Sequence, residues 1–380
     1  MSNSIKGVHI LIFPYPAQGH MLPMLDLTHQ LALRGITITI LVTPKNLPIL
    51  NPLLSTHHPS SIQTLVLPFP SHPSLPSGVE NIKDIGNAGN LPMINALGKL
   101  HDPIIHWFKS HPSPPVAILS DFFLGWTLHL AHQLGEYLDH LKNKMGHQRV
   151  WVVGPLSLFA GAETMGRINP DKDSGDKVLA WLDGCPDGSV LYVCFGSQKL
   201  LKRDQMEALA AGLEHSKIRF VWVVKSVTAQ QVEDGYGFVP DGFEDRVLGR
   251  GMVMKGWAPQ MSILSHRAVS GFLSHCGWNS VLEGIMAGVM ILAWPMEADQ
   301  FVNARLLVED VGAGVRVCEG ADAVPDSTEL AQTIANSMSG DTSVQKVRAK
   351  ELKEKAVEAV KESGSSWRDL EGLVNELVQL

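Results

Sequence analysis

Short apolar runs alternate with helix-length amphipathic segments along most of the chain, and this alternation limits the fold more than any other feature. Near the N-terminus the run VHILIF is followed by the loop PYPAQGH, the segment MLPMLDLTHQLALRG and the run ITITILVTP. This reads as strand, loop, helix, strand. Leu25, Leu27, Leu31 and Leu33 supply apolar residues to the helix, and Gly35 stands where a C-cap is expected. Short, fully apolar strands joined by helices imply an α/β fold on a parallel sheet. From Trp151 a second series begins. Strands SVLYVCFGS, RFVWVVK, GMVMKGWAP, VSGFLSH, VMILAWP and GVRVCEG are interleaved with helices RDQMEALAAGLEHS, QMSILSHRA, NSVLEGIMAG and DQFVNARLLVEDVG. Three helices close the chain, the middle one strongly charged between Asp341 and Glu362 and expected to be a solvated face.

A length of 380 residues suits two domains. Between the two series, a proline-rich stretch at 44–115 connects a strand, IQTLVLPF, and one long helix, MINALGKLHDPIIHWFK. The run VAILSD then reads as another buried parallel strand ending in Asp121. The boundaries expected are 1–150, 151–364 and a closing helix at 365–380.

Several function classes are disfavoured. Hydrophobic residues make up 45% and charged residues 18%, a globular balance and not that of a disordered chain. The net charge is −7 with no basic stripe, so nucleic acid is not an expected partner. Cys185, Cys194, Cys276 and Cys318 show no C-x-x-C spacing, so neither a zinc site nor a dithiol motif is expected. VHILIF lacks a basic flank and is too short for a signal sequence, and no run approaches the ~20 apolar residues of a membrane span. The expectation is a soluble, cytoplasmic protein.

The densest chemistry lies in residues 257–300, where three strand ends carry polar groups. Ligands of open parallel sheets bind beyond such ends. The first is Trp257-Ala258-Pro259-Gln260, the second His275-Cys276-Gly277-Trp278-Asn279-Ser280, and the third runs from Trp294 to Glu297, Asp299 and Gln300. At the second, Gly277 allows a tight turn and a helix starts at Asn279 or Ser280. Helix-start N–H groups and the dipole favour a phosphate there, with His275 and Ser280 as further donors. The competing reading is a capping box, Ser280-x-x-Glu283, which begins many helices that bind nothing. An aromatic platform at Trp257 suits a base, and Asp299 and Gln300 can hydrogen-bond sugar hydroxyls. Base, phosphate and sugar readers at successive strand ends make a nucleotide-sugar site.

This stretch resembles the 44-position signature of plant secondary-product UDP-glycosyltransferases, with its W-A-P-Q, H-C-G-W-N-S, following E and closing D-Q all in register. The resemblance implies two Rossmann-like domains facing across a cleft and an inverting, metal-independent O-glycosyltransferase without a cofactor. The donor is a UDP-sugar and the acceptor a small hydroxylated plant metabolite such as a flavonoid or phenolic. By position it implies that Trp257 stacks on uracil while Ala258 and Gln260 contact the uridine. Glu283 takes the ribose hydroxyls, which ranks this role above the capping box. His275, Gly277, Asn279 and Ser280, with Ser197 of the loop FGS, hold the diphosphate. Trp278, Asp299 and Gln300 contact the sugar, and Gln at 300 hints at glucose. A monomer is expected.

In the first domain, His20 closes PYPAQGH at a strand-to-helix turn, where a helix start disfavours imidazolium. Asp121 ends another expected parallel strand; two strand ends of one sheet can be neighbours, so Asp121 either caps the next helix or holds the His20 ring, leaving its other nitrogen as a base. The resemblance favours the second: Gly19-His20 before Pro23 and Asp121 before Trp126 match the family's catalytic His and partner Asp.

Asp171-x-Asp173 has the form of a metal-binding D-x-D but sits in NPDKDSGDK, which reads as a polar loop, so no metal role is assigned. PAQG lacks the glycines of a dinucleotide fingerprint. Between Asp121 and Val150 there is no apolar strand, although two or three more βα units of ~30 residues each belong there in such a domain. LHLAHQLG runs directly into EYLDHLKNKMGHQRVWVVGPL, a join expected to mark an internal deletion, as in a splice variant. The first Rossmann-like domain is thus expected to be incomplete, with a catalytically silent, UDP-sugar-binding form as the alternative function.

Overall fold

The structure, a computed structural model, describes residues 7–86, 89–124, 151, 153–158, 172–233, 235–340 and 343–380. The chain divides into two compact units, Met1–Ile168 with Glu358–Leu380, and Asn169–Val357. Each is α/β with a parallel sheet of Rossmann-like type.

In the first unit the strands are β1 (His9–Phe13), β2 (Thr37–Val42), β3 (Ile62–Val66) and β4 (Ala117–Ser120), in the order β3-β2-β1-β4. Ile10 pairs with Ile38 on one side and Ala117 on the other. Ile10, Leu11 and Ile12 are fully buried, as a strand covered on both faces requires; each contributes ~1.5–3 kcal/mol. The helix Gln18–Leu33 packs Leu25 and Leu31 into this core, and Gly35, at φ +85°, is the left-handed residue just past its end. Helix Ser365–Val378 adds Leu370, Val374 and Leu377 to the same core. Arg34 bonds Glu371 at 2.7 Å and lies over the Trp367 ring.

The second unit holds β5 (Val190–Cys194), β6 (Arg219–Val224), β7 (Gly251–Lys255), β8 (Val269–Ser274), β9 (Met290–Ala293) and β10 (Gly314–Arg316), in the order β10-β9-β8-β5-β6-β7. Its sheet is covered on both faces by apolar clusters, one around Leu191, Trp222 and Leu273, the other around Tyr192, Phe272 and Val281. In both units the chain winds outward from one strand and returns to its other side. That reversal lies between β1 and β4 in the first unit and between β5 and β8 in the second, and loops at such a switch point are where ligands of these sheets bind.

Four expectations need correction. The long helix of residues 93–109 is two, Asn90–Gly98 and His101–Ser110, parted at Lys99-Leu100. Pro103 sits in the first turn of the second, where a proline is tolerated but cannot continue a helix from before. The polar loop at 172–176 is the start of helix Lys172–Asp183, because Val178 and Leu182, one turn apart, are fully buried against the second sheet. Asp173 is therefore helical, and Asp171 lies outside the described residues. The strand β4 exists, but each of its four residues is partly exposed and none is buried; it is an edge of the sheet among the described residues. The helix expected to start at Asn279 or Ser280 starts at Trp278. The expected join after Trp126 falls in 125–150, outside the described residues.

Candidate active site and donor site

β1 and β4 pair in parallel, so their carboxyl ends adjoin, and the two first-domain candidates follow those ends. His20 is the third residue of helix Gln18–Leu33, inside the first turn instead of in the loop before it. Asp121 follows β4. The two are 101 positions apart, yet His20 Nδ1 lies 2.8 Å from Asp121 Oδ2. Asp121 also accepts the Phe123 backbone N–H on Oδ1 at 2.9 Å, so its capping and orienting roles coexist. With Nδ1–H donated to the carboxylate, the lone pair of a neutral ring sits on Nε2. Aromatic rings surround the imidazole: Phe123 at 4.8 Å, Tyr15 at 5.3 Å and Phe122 at 5.5 Å between centroids. Tyr15 donates its hydroxyl to Asn90 Oδ1, and burial, helped by the Asp121 charge, pushes its phenol above the ordinary range. It is thus a neutral wall and not a competing base.

In the second unit, Ser197 lies in the turn after β5 and His275 in the loop after β8, the two strands at the switch point. The His275 ring is wedged between two glycines. A Cβ at Gly196 would stand 2.7 Å from the ring's Cε1, and one at Gly277 2.6 Å from its Nε2. No other residue leaves room for the ring there. Burial pushes the His275 pKa down to about 4, against the opposing pull of the Asp299 and Glu297 carboxylates, so the ring is neutral at physiological pH. Its Nδ1 is buried and has no hydrogen-bond partner among the described residues.

Gly277 is the N-cap of helix Trp278–Ala287, with no side-chain cap. Ser280 is the third residue of that helix, so the Ser280–Glu283 capping box does not form. Glu283 instead accepts from Gln260 Nε2 at 2.6 Å, and Tyr192 donates its hydroxyl to Gln260 Oε1 at 3.2 Å. This joins Gln260, which opens the short helix Gln260–Leu264 after the loop carrying Trp257 and Ala258, to the buried Glu283 carboxylate. Trp278 is 46% exposed beside Asn279 at the helix start. At the third loop, Gln300 Oε1 accepts the backbone N–H groups of Met296 and Glu297 at 3.0 and 2.9 Å. The turn is fixed by the amide oxygen, and Nε2 is the end of Gln300 able to donate to a ligand. Asp299 is exposed and accepts from Asn303 at 2.7 Å.

Sequence reasoning missed three contributors: Tyr192, Asn303, and Lys199, which pairs with Glu297 at 2.9 Å. Asn303 had a usable signal, standing four residues after Asp299 on one helical face. Tyr192 and Lys199 had none.

Comparison with known proteins bears on this geometry. The family model described as UDP-glucoronosyl and UDP-glucosyl transferase matches residues 138–342. UDP-glycosyltransferase 89A2 of Arabidopsis thaliana is 46% identical in an alignment covering 99% of this chain and 97% of that protein. The chain belongs to the UDP-glycosyltransferase family. It is therefore a glycosyltransferase by family, with a UDP-sugar as donor. Flavonol 3-O-glucosyltransferase UGT89B1 of the same plant is 43% identical over 100% of this chain and 98% of that one. Among solved structures, Arabidopsis thaliana UGT89C1 complexed with UDP-L-rhamnose superposes with a TM-score of 0.87 at 41% identity, covering 98% of this chain and 100% of that one. The same protein complexed with quercetin superposes at 0.84, with the same identity and coverage. No described helix is long and apolar enough to cross a membrane.

Proposed function

We propose that this chain transfers glucose from UDP-glucose to a hydroxyl group of a flavonoid or related phenolic, with inversion and without a metal ion. The observation that carries the reading is the 2.8 Å His20–Asp121 bond at the first switch point, which orients the imidazole with Nε2 free to act as a base. In the reaction, His20 Nε2 takes the acceptor hydroxyl proton while the acceptor oxygen forms its bond to the anomeric carbon. The bond from that carbon to the diphosphate oxygen breaks through an oxocarbenium-like transition state, and UDP leaves with the electron pair. Asp121 stabilises the imidazolium. The charge gained by UDP is met by the N–H groups at the start of helix Trp278–Ala287 with Ser197, His275, Asn279 and Ser280, donors already in place before reaction. Trp257 stacks on uracil, Ala258 and Gln260 contact the uridine, and Glu283 reads the ribose. Trp278, Asp299 and Gln300 hold the sugar.

Flavonoid acceptors are supported by the flavonol and quercetin named for two relatives. Glucose is supported by Gln300 and by one of those relatives; the other binds UDP-L-rhamnose, so the donor needs its own test. Four free thiols agree with a reducing, cytoplasmic setting, and a monomer is proposed. The experiment is UDP release from UDP-glucose and UDP-L-rhamnose across a phenolic panel, with and without EDTA. Faster release with UDP-L-rhamnose would overturn the glucose assignment, and loss of activity in EDTA restored by Mn²⁺ would overturn metal independence.

A second reading, a chain that binds donor but transfers poorly, is favoured by two observations. The alignment with UDP-glycosyltransferase 89A2 extends over 467 residues while this chain has 380. The remainder falls opposite gaps in this chain, a length close to three βα units of ~30 residues. In addition, β4 is half-buried throughout and Phe122, just beyond it, is 78% exposed. An inner strand of a parallel sheet is buried on both faces. Both observations support a deletion in the first domain, which takes away part of the acceptor-binding surface and leaves a sheet edge prone to aggregation.

A further inference from the structure

We infer that Asn303, outside the 257–300 signature, is a positioning residue that sets the orientation of the Asp299 carboxylate toward the donor sugar. The inference rests on the proposed sugar-binding role of Asp299. Asn303 lies on helix Gln300–Arg305 and is buried, with 8% of its surface exposed. Its single Nδ2 atom donates twice, to Asp299 Oδ2 at 2.7 Å and to the Cys276 carbonyl at 3.0 Å. The two acceptors belong to the loops that follow β9 and β8. One amide group therefore ties the sugar-side loop to the diphosphate-side loop.

The arrangement constrains both partners. The Asp299 backbone is held as the N-cap of helix Gln300–Arg305, its carbonyl accepting the Asn303 N–H at 3.0 Å, but its side chain is exposed and follows Ala298 at φ +53°, so the backbone alone does not set the direction of the carboxylate. The bond to Asn303 fixes one carboxylate oxygen and thereby directs the other. Cys276 has φ +63°, a conformation unusual for a residue with a side chain, and its carbonyl precedes Gly277, the N-cap of the diphosphate-side helix. Only a group with two N–H donors on one atom serves both acceptors. An aspartate at 303 would set a second carboxylate against Asp299 and offer the Cys276 carbonyl no donor. A serine has one donor for two acceptors.

The test is calorimetric binding of UDP and of UDP-glucose to the full chain, for wild type, Asn303→Ala, Asp299→Ala and the double variant. A carboxylate released from a charge-assisted bond loses most of its directed contact with a sugar hydroxyl. Asn303→Ala is expected to weaken UDP-glucose binding roughly tenfold, equivalent to ~1.4 kcal/mol, and to leave UDP binding within about twofold. In the Asp299→Ala background the same substitution is expected to weaken UDP-glucose binding no more than it weakens UDP binding, within about twofold, because only the Cys276 bond is then lost. Asn303→Asp is expected to be weaker than Asn303→Ala for UDP-glucose. Equal weakening of UDP and UDP-glucose, or an undiminished effect of Asn303→Ala without Asp299, would assign Asn303 a merely structural role and overturn the inference. The underlying reading fails separately, if Asp299→Ala leaves UDP-glucose binding unchanged. If Asn303→Ala does not fold, Asn303→Ser, with one donor, provides the same comparison.

Discussion

Removing the Glu283 carboxylate tests nucleotide recognition without disturbing a helix cap, since Gly277 and not Ser280 is the N-cap of its helix. Glu283 is 8% exposed and takes the Gln260 amide at 2.6 Å, so it is already held when ligand arrives and pays little ordering entropy on binding. If it reads the ribose, UDP binding includes hydrogen bonds from ribose hydroxyls to a charged acceptor, each contributing ~1.5–3 kcal/mol net. Glu283→Ala should therefore weaken UDP binding by ~10–100-fold even if only one such bond is lost. The effect should be confined to the hydroxyls: wild type should prefer UDP to 2′,3′-dideoxyuridine diphosphate by a similar factor, and the variant should lose that preference. Alanine is the best helix former, so helix Trp278–Ala287 should persist. The unpaired Gln260 Nε2 should cost ~1–3 kcal/mol at most, because Gln260 is only partly buried and water can reach it. The assay is calorimetry with both nucleotides alongside thermal unfolding. A wild-type chain that does not distinguish the two nucleotides, or a variant that still does, would refute the ribose assignment.

Other outcomes follow from the same geometry. His20→Ala should lower turnover by ~10²–10⁴-fold while UDP affinity stays unchanged, as loss of a general base requires; Asp121→Asn keeps an oxygen for the Phe123 N–H and should lose less, with full retention of rate by either variant, measured as UDP release at neutral pH, excluding the dyad. His275, with its folded pKa at about 4 against an ordinary value of 6.5, stays neutral while the unfolded chain takes up a proton, so its contribution to stability is present above pH 6.5 and is lost as pH falls toward 4. Urea unfolding at several pH values should therefore show a flatter pH dependence between 6.5 and 4 for His275→Gln than for wild type. If the poorly transferring, deleted form is the right reading, inserting the additional residues of UDP-glycosyltransferase 89A2 into the first domain should sharpen thermal unfolding and raise turnover with the same phenolic panel; equal unfolding and equal turnover would refute that reading.

What was legible in the sequence depended on contiguity. The three polar loops of residues 257–300 could be placed because each lies in one short run at a strand end, and the parallel strands foretold that those ends share one edge of a sheet. The His20–Asp121 encounter was within reach for a related reason: Asp121 directly follows β4, His20 lies in the first helical turn after β1, and β1 and β4 are neighbours. The Tyr192–Gln260–Glu283 chain was not, because it depends on strand order and side-chain reach, which no spacing encodes. The helix Lys172–Asp183 was hidden by a first turn rich in Asp, Ser and Gly, while the apolar spacing that fixes it, Val178 to Leu182, comes later. The half-buried state of β4 was hidden too, since VAILS reads as a covered strand and what covers it is decided by chain elsewhere.

The most direct test of inverting transfer by this chain is a proton NMR time course of UDP-α-glucose with a flavonol acceptor, following UDP and the anomeric signal of the product together. Equimolar UDP and a β-glucoside, recognised by the large anomeric coupling, are expected, with product formed ~10²–10⁴-fold more slowly by His20→Ala. An α-glucoside, or a β-glucoside formed as fast without His20, would contradict this mechanism, and a folded chain that binds UDP-glucose yet forms no product would leave only the donor-binding reading.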